Sequence, residues 1–149
     1  MYVPSNDIPS FIWLEKVKKK NTYYNYSMHT EIIKDQEGYP GSKPPWGSLT
    51  AIDLNNGKII WKTPFGEYDK LMKKGIPKTG TYNYGGVTAT AGGLVFATGT
   101  LDNKIRAFNS ANGKELWSYN LPFSGSSPPT IYEYNNEQYI LVPVTGSIS

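Results

Sequence analysis

Through the second half of the chain, apolar and polar residues alternate in short runs closed by Gly, Asn or Asp, which is the two-residue period of a half-buried strand. Val87 to Thr90, Leu94 to Thr98, Lys104 to Phe108 and Glu115 to Tyr119 are separated by Ala91-Gly92-Gly93, Leu101-Asp102-Asn103 and Asn112-Gly113. Turns this short predict a four-stranded antiparallel meander over about 87–119. Pro129 to Tyr134 and Gln138 to Val144, joined by Asn135-Asn136, predict the first half of another such unit over about 128–144. Upstream, Leu49 to Asp53 and Lys58 to Lys62 supply a third and a fourth strand, and Met1 to Val3 a second. Residues 8–45 break this rhythm. They read as an insertion that packs through Phe11, Ile12, Trp13 and Leu14. Residues 64–83 predict one short helix, Glu67 to Lys74, stopped by Gly75 and Pro77.

A repeat ties these strands together. Ala51-Ile-Asp-Leu-Asn-Asn-Gly57-Lys-Ile-Ile-Trp61 returns as Ala107-Phe-Asn-Ser-Ala-Asn-Gly113-Lys-Glu-Leu-Trp117, with Ala, Asp or Asn, Gly-Lys and Trp in register. The Asp or Asn opens a turn with its own side chain, the Gly accepts a positive φ, and the following strand carries the indole. Ala and Gly leave a flat place on which a neighbouring unit's indole can lie, burying on the order of 200 Å². Units clasped in this way build a propeller. The expectation is an all-β partial β-propeller: a single domain fragment over 1–149, about two and a half four-stranded blades, with Trp61 and Trp117 both acting as clasps.

Composition narrows the chemistry. Without Cys there is no disulfide, thiolate site or Cys nucleophile, and the single His29 leaves one candidate for a His-based triad. The net charge of +3 comes from Lys, Arg106 being the one arginine, and a surplus without guanidinium forks argues against nucleic acid. Lys16, Lys18, Lys19 and Lys20 read as a solvated surface loop. Met1-Tyr2-Val3-Pro4 lacks the features of a signal peptide, so an export signal is expected upstream if the protein is exported.

Strand parity then points to a site. In an up-and-down meander, the end of a second strand, the start of a third and the approach to the next innermost strand share one rim. Asn6, Trp46 and Tyr84-Gly85-Gly86 occupy those places, with Asp102-Asn103, a tight turn of type I′ or similar, and Ser124 to Ser127 one blade on. A carboxamide, aromatic planes and glycines open to close approach would suit a flat, polar, conjugated ligand. No catalytic dyad is legible, and His29 reads as a surface residue.

Tyr2-Val-Pro-Ser-Asn6, Pro45-Trp-Gly47 before Leu49-Thr-Ala-Ile-Asp53, Gly86-Val-Thr-Ala-Thr-Ala-Gly-Gly-Leu-Val-Phe96 and Gly99-Thr-Leu-Asp-Asn103 with Arg106-Ala-Phe resemble the C-terminal part of pyrroloquinoline quinone (PQQ)-dependent dehydrogenases. Gly113-Lys-Glu-Leu-Trp117 and Asn136 to Val144 extend the match, which is best to quinoproteins of the glucose/quinate/shikimate type. The resemblance implies a parent eight-bladed propeller with PQQ in its channel beside Ca²⁺, oxidising a sugar, polyol or other alcohol in the periplasm. A carboxylate base takes the hydroxyl proton there, and electrons leave to a membrane quinone or a cytochrome. It puts Asn6 near the cofactor and Tyr84 at the quinone edge, and Trp46 completes the expected cofactor-binding set. Asp7 departs from the second Asn frequent in relatives. The base, the calcium ligands and the stacking Trp of the family belong to earlier blades, so this chain is expected to carry one side of the pocket, with neither catalytic nor metal-binding residues, and to be inactive alone. Two other readings stand beside this one: a non-enzymatic propeller scaffold, such as the lipoproteins that help assemble outer-membrane proteins, and a fragment that self-associates through open blade edges.

Overall fold

A computed structural model describes residues 1–18 and 23–146, so Lys19 and Lys20 of the expected lysine loop lie outside the described residues. In chain order the elements are β1 (Tyr2–Asn6), β2 (Ser10–Lys16), β3 (Tyr26–Ile32), β4 (Gly47–Ile52), β5 (Ile59–Pro64), α1 (Asp69–Lys73), β6 (Val87–Ala89), β7 (Leu94–Ala97), β8 (Lys104–Asn109), β9 (Glu115–Asn120), β10 (Thr130–Tyr134) and β11 (Glu137–Leu141). They fall into two compact units, Met1–Asp7 with Pro44–Ser149, and Ile8–Lys43.

The larger unit holds three antiparallel sheets, with strand orders β1-β4-β5, β6-β7-β8-β9 and β10-β11. The repeat folds twice with the same pattern of amide bonds to its turn side chains. Asp53 accepts from the Asn55 amide at 2.9 Å as Asn109 accepts from that of Ala111 at 2.8 Å. Asn56 and Asn112 then receive the amides of Lys58 and Lys114 at 2.8 and 3.0 Å. Gly57 and Gly113 both stand at φ 70°, and a bulge follows Ala51 and Ala107 alike. Ala51 pairs with Trp61 across one hairpin and Ala107 with Trp117 across the other.

The period of two sends alternate side chains of the central sheet to opposite faces. Val95, Ala97 and Phe108 meet Leu49, Ala51 and Trp61 of the first sheet and Phe65 just beyond its last strand, while Phe96, Ile105 and Ala107 meet Ile131, Ile140 and Val142 on the other side. Phe65 and Phe108, both fully buried, cross edge to face at 6.1 Å in the first of these cores.

Trp61 behaves as the sequence predicts. Its indole N–H donates to the Ser110 carbonyl at 2.9 Å, and a Cβ on Gly113 would come within 2.5 Å of its ring. Trp117 does not. It is 47% exposed and lies against Tyr119, with ring centroids 6.2 Å apart, because the third sheet has two strands among the described residues and offers no turn like Asn109 to Gly113 opposite it. The helix is shorter than expected at both ends: Tyr68 stands in extended backbone and gives no side-chain cap, and Gly75 turns at φ 79°.

The smaller unit is a two-stranded hairpin, β2 against β3 from Ser10↔Ile32 to Lys16↔Tyr26, followed by a loop closed by Asp35. Phe11, Ile12, Trp13 and Leu14 do not anchor it. They are 65%, 64%, 46% and 65% exposed, since a lone two-stranded ribbon has two faces and no second layer to bury either.

Candidate functional site

The expected rim is assembled by backbone pairing. Asn6, the last residue of β1, sits opposite Gly47, the Asp7 amide donates to the Trp46 carbonyl at 2.8 Å, and the Trp46 amide donates to the carbonyl of Thr79 at 2.8 Å. Asn6 reaches Asn83 as one edge strand reaches another: its Nδ2 donates to the Asn83 carbonyl and its Oδ1 accepts the Asn83 amide, both at 2.9 Å. Asn83 Nδ2 also donates to Asn6 Oδ1 at 2.9 Å and is within 3.2 Å of the Ser5 carbonyl. The side chain of Asn6 therefore substitutes for a strand pair and fixes the segment that carries Tyr84.

Trp46 and Tyr84 then diverge. Trp46 is 5% exposed and packs edge to face on Tyr68 at 5.5 Å, so its plane is spent on the protein's own interior. Tyr84 is 72% exposed. Its ring stands at 79° to that of Tyr82 with centroids 4.4 Å apart, and the Tyr82 hydroxyl donates to the Tyr84 hydroxyl in a short contact. That hydrogen bond, with burial and the charge of Tyr84 behind it, pushes the Tyr82 phenol above its ordinary value.

The neighbouring glycines serve a different purpose from the one expected of them. A Cβ on Gly85 would fall 1.9 Å from the Thr98 carbonyl oxygen, and one on Gly86 would fall 2.3 Å from the Pro128 ring. Their bareness is consumed by the chain's own close packing rather than kept for a ligand. Ser124 to Ser127 are likewise engaged: Ser124 Oγ donates to the Thr100 carbonyl at 3.1 Å, and the Ser127 carbonyl accepts from Thr98 Oγ1 at 3.0 Å.

Asp102 is more than a turn residue. Asn103 alone takes a positive φ of 55°, so this is not a type I′ turn, which needs two such residues. The Asp102 side chain is 2% exposed and forms a two-point pair with Arg106, itself 3% exposed. Thr100 Oγ1 donates to it at 2.6 Å and the Glu67 amide at 2.9 Å. Arg106 Nε further meets Glu115 at 3.3 Å. Burial by itself would raise the Asp102 carboxyl, but the hydrogen bonds and charge of Arg106, with Thr100 and the Glu67 amide, outweigh it and hold the group below the usual carboxylate range. Glu67 in turn accepts the Lys78 amide on both carboxylate oxygens at 2.9 Å, and Thr81 Oγ1 accepts the Leu101 amide at 3.1 Å. The loop between β5 and β6 is thus tied to the central sheet through a buried ion pair just before it delivers Asn83 and Tyr84 to the rim. The one arginine of the chain, four residues after an Asp, was the only sequence signal for this pair.

On the hairpin, Glu15, Ser27 and His29 approach one another, with His29 stacked on Trp13 at 5.3 Å. Both Ser27 Oγ at 3.1 Å and Glu15 Oε2 at 3.3 Å meet the same nitrogen, Nε2. A nucleophilic triad needs the carboxylate on one ring nitrogen and the hydroxyl on the other, so this group is a surface cluster. No three His, Asp or Glu side chains gather as a metal site among the described residues.

Residues 9–140 match the family model described as PQQ, glucose/ethanol/alcohol dehydrogenase, beta-propeller domain. The chain is 39% identical over 129 residues to the quinate/shikimate dehydrogenase (quinone) of Acinetobacter baylyi, covering 82% of this chain and 16% of that protein. It is 36% identical over 125 residues to quinoprotein glucose dehydrogenase A of Acinetobacter calcoaceticus, covering 81% of this chain and again 16% of the relative. The chain therefore spans about a sixth of the length of these relatives. Among solved structures it is similar in fold to the quinohemoprotein alcohol dehydrogenase of Comamonas testosteroni, with a TM-score of 0.63, 23% identity, and coverage of 96% of this chain and 20% of that one. A europium-containing methanol dehydrogenase gives a TM-score of 0.62 at 24% identity, covering 93% of this chain and 21% of the other.

Proposed function

This chain belongs to the family of PQQ-dependent glucose/ethanol/alcohol dehydrogenase β-propellers, and from that premise we propose that it supplies one side of the PQQ pocket of a sugar or alcohol dehydrogenase. The observation that carries the reading is Tyr84: a ring held by its neighbour, largely uncovered, at the rim where three strand ends converge. An exposed aromatic face and edge fit a flat, conjugated, polar group, and Asn6, Asn83 and Tyr82 around it are already hydrogen-bonded.

In this assignment Tyr84 touches the cofactor. Asn6 contributes by holding Asn83, and with it the backbone that bears Tyr84. Trp46 closes the rim from beneath, where it is buried, rather than presenting a stacking plane. PQQ, when bound, supplies the acceptor for a hydride from the carbinol carbon of the substrate. No described residue is placed as the base that takes the hydroxyl proton, and calcium ligands would come from segments other than the described residues. Turnover, a sugar or polyol substrate, a quinone or cytochrome acceptor and a periplasmic setting are accordingly assigned to the longer parent protein.

The test is a titration of PQQ into the 149-residue chain, followed by quenching of its intrinsic fluorescence. Saturable binding is expected, weakened about tenfold in Tyr84→Ala, which corresponds to loss of an aromatic contact of ~1.4 kcal/mol. Binding that is absent, or identical in the variant, would overturn the assignment. Glucose-dependent dye reduction by this chain with PQQ and calcium would overturn the statement that it carries no base.

A further inference from the structure

The segment that enters the rim alternates with a period of two. Thr81 and Asn83 are buried, whereas Tyr82 is half-buried and Tyr84 exposed, so the two phenol rings stand on the same outward side. The inward residues hold this alternation in place. The Thr81 amide donates to the Phe65 carbonyl at 2.9 Å, the Leu101 amide to Thr81 Oγ1 at 3.1 Å, and the Tyr84 amide to the Gly99 carbonyl at 3.1 Å. The Tyr82 ring meets that of Tyr84 edge to face at 4.4 Å, and its hydroxyl donates to the Tyr84 hydroxyl. The proton between the two oxygens is thus that of Tyr82, and this bond is the main cause that pushes the Tyr82 phenol up. A phenol has one hydrogen to give and can accept besides. Tyr84 accepts from Tyr82, and its own hydrogen meets no acceptor among the described residues. Elsewhere on the rim Asn6, Asn83, Thr98 and Ser124 all donate within the protein.

Resting on the reading of Tyr84 as a cofactor contact, we propose that Tyr82 is a positioning residue for the pocket, one that fixes the Tyr84 hydroxyl as a hydrogen-bond donor to an acceptor oxygen on the edge of PQQ. Accepting a hydrogen bond polarises the O–H of the acceptor, so Tyr82 makes Tyr84 a stronger donor. Tyr82 also occupies one side of the Tyr84 oxygen, and the edge-to-face contact holds the ring. Fewer directions are then left for the remaining hydrogen, and less freedom is lost when a ligand accepts it. A donor held in this way favours carbonyl or carboxylate oxygen at the rim of a flat ring system, and PQQ carries both. Tyr84 therefore contributes specificity through its hydroxyl in addition to contact through its ring, and Tyr82 acts through Tyr84.

PQQ titrations of the 149-residue chain, read by quenching of tryptophan fluorescence, test the inference with variants that keep both rings. Tyr84→Phe should weaken binding about threefold, as part of the roughly tenfold loss expected of Tyr84→Ala, and Tyr82→Phe about twofold. Because Tyr82 acts through Tyr84, the double variant should stop at about threefold and not multiply to about sixfold. A ligand-free readout accompanies these titrations. With the tyrosines labelled at Cζ, nuclear magnetic resonance should show Tyr82→Phe shifting the Tyr84 signal, and PQQ should shift that signal again in the wild type. Binding by Tyr84→Phe equal to that of the wild type, or losses that multiply in the double variant, would overturn the inference, and Tyr84 would remain an aromatic contact if Tyr84→Ala still bound more weakly. An unmoved Tyr84 signal in Tyr82→Phe would overturn it as well. A wild-type chain that binds no PQQ would remove the pocket assignment and this inference together.

Discussion

Two stretches of this chain share a sequence pattern, a turn and a register, yet only one of them closes. Trp61 is 9% exposed, hydrogen-bonded to Ser110 and seated on Gly113, while Trp117 is 47% exposed beside Tyr119. The turns that precede them differ by no more than a few tenths of an ångström in their hydrogen bonds. Local sequence therefore builds the hairpin and presents the indole. What the indole then contributes depends on whether another sheet offers it a bare turn.

The largest effect is expected from Trp61→Ala, which empties the seam between the first two sheets and should cost about 3–5 kcal/mol in denaturant unfolding. Gly113→Ala should follow at more than about 2 kcal/mol, because it combines a residue with a Cβ at φ 70° with a clash against the indole. Asp102→Asn, which leaves Arg106 with the half-exposed Glu115 as its one remaining ion-pair partner among the described residues, should cost roughly 2–3 kcal/mol. The wild-type pair has a pH signature of its own. Since the folded Asp102 carboxyl titrates below its ordinary 3.8, its contribution is complete above that value and is lost as the pH falls through the lower folded one. Acid unfolding should accordingly be steeper in the wild type than in Asp102→Asn. Gly57→Ala, with the same φ as Gly113 but open space around it, should cost only about 1 kcal/mol. Trp117→Ala should fall below about 1 kcal/mol, and a value close to that of Trp61→Ala would erase the distinction between the two clasps.

The same contrast explains what could be read from the sequence. Turn chemistry is local, so Asp53 to Gly57 and Asn109 to Gly113, the four strands of the central sheet and the convergence of Asn6, Trp46 and Tyr84 on one rim follow from residue types and parity alone. Partners distant in sequence are not local. Nothing near Asn6 announces that its carboxamide is taken up by Asn83, and nothing near Glu67 announces that its amide meets Asp102. Gly85 and Gly86 look from sequence like room for a ligand, because the Thr98 and Pro128 that use the space stand elsewhere in the chain. The hairpin inverts the usual inference: Phe11, Ile12, Trp13 and Leu14 form an apolar run, and a run predicts burial only when a second layer is present to receive it.

Hydrogen exchange of the indole N–H groups, assigned by nuclear magnetic resonance, tests most directly whether adjacent sheets are clasped by Trp61 alone. The account predicts that the Trp61 Nε1–H, bonded to the Ser110 carbonyl, exchanges slowly with a rate tied to global unfolding, and that the Trp117 Nε1–H exchanges at the rate of a solvated indole. Equal rates at the two positions, or protection of Trp117 in place of Trp61, would contradict it.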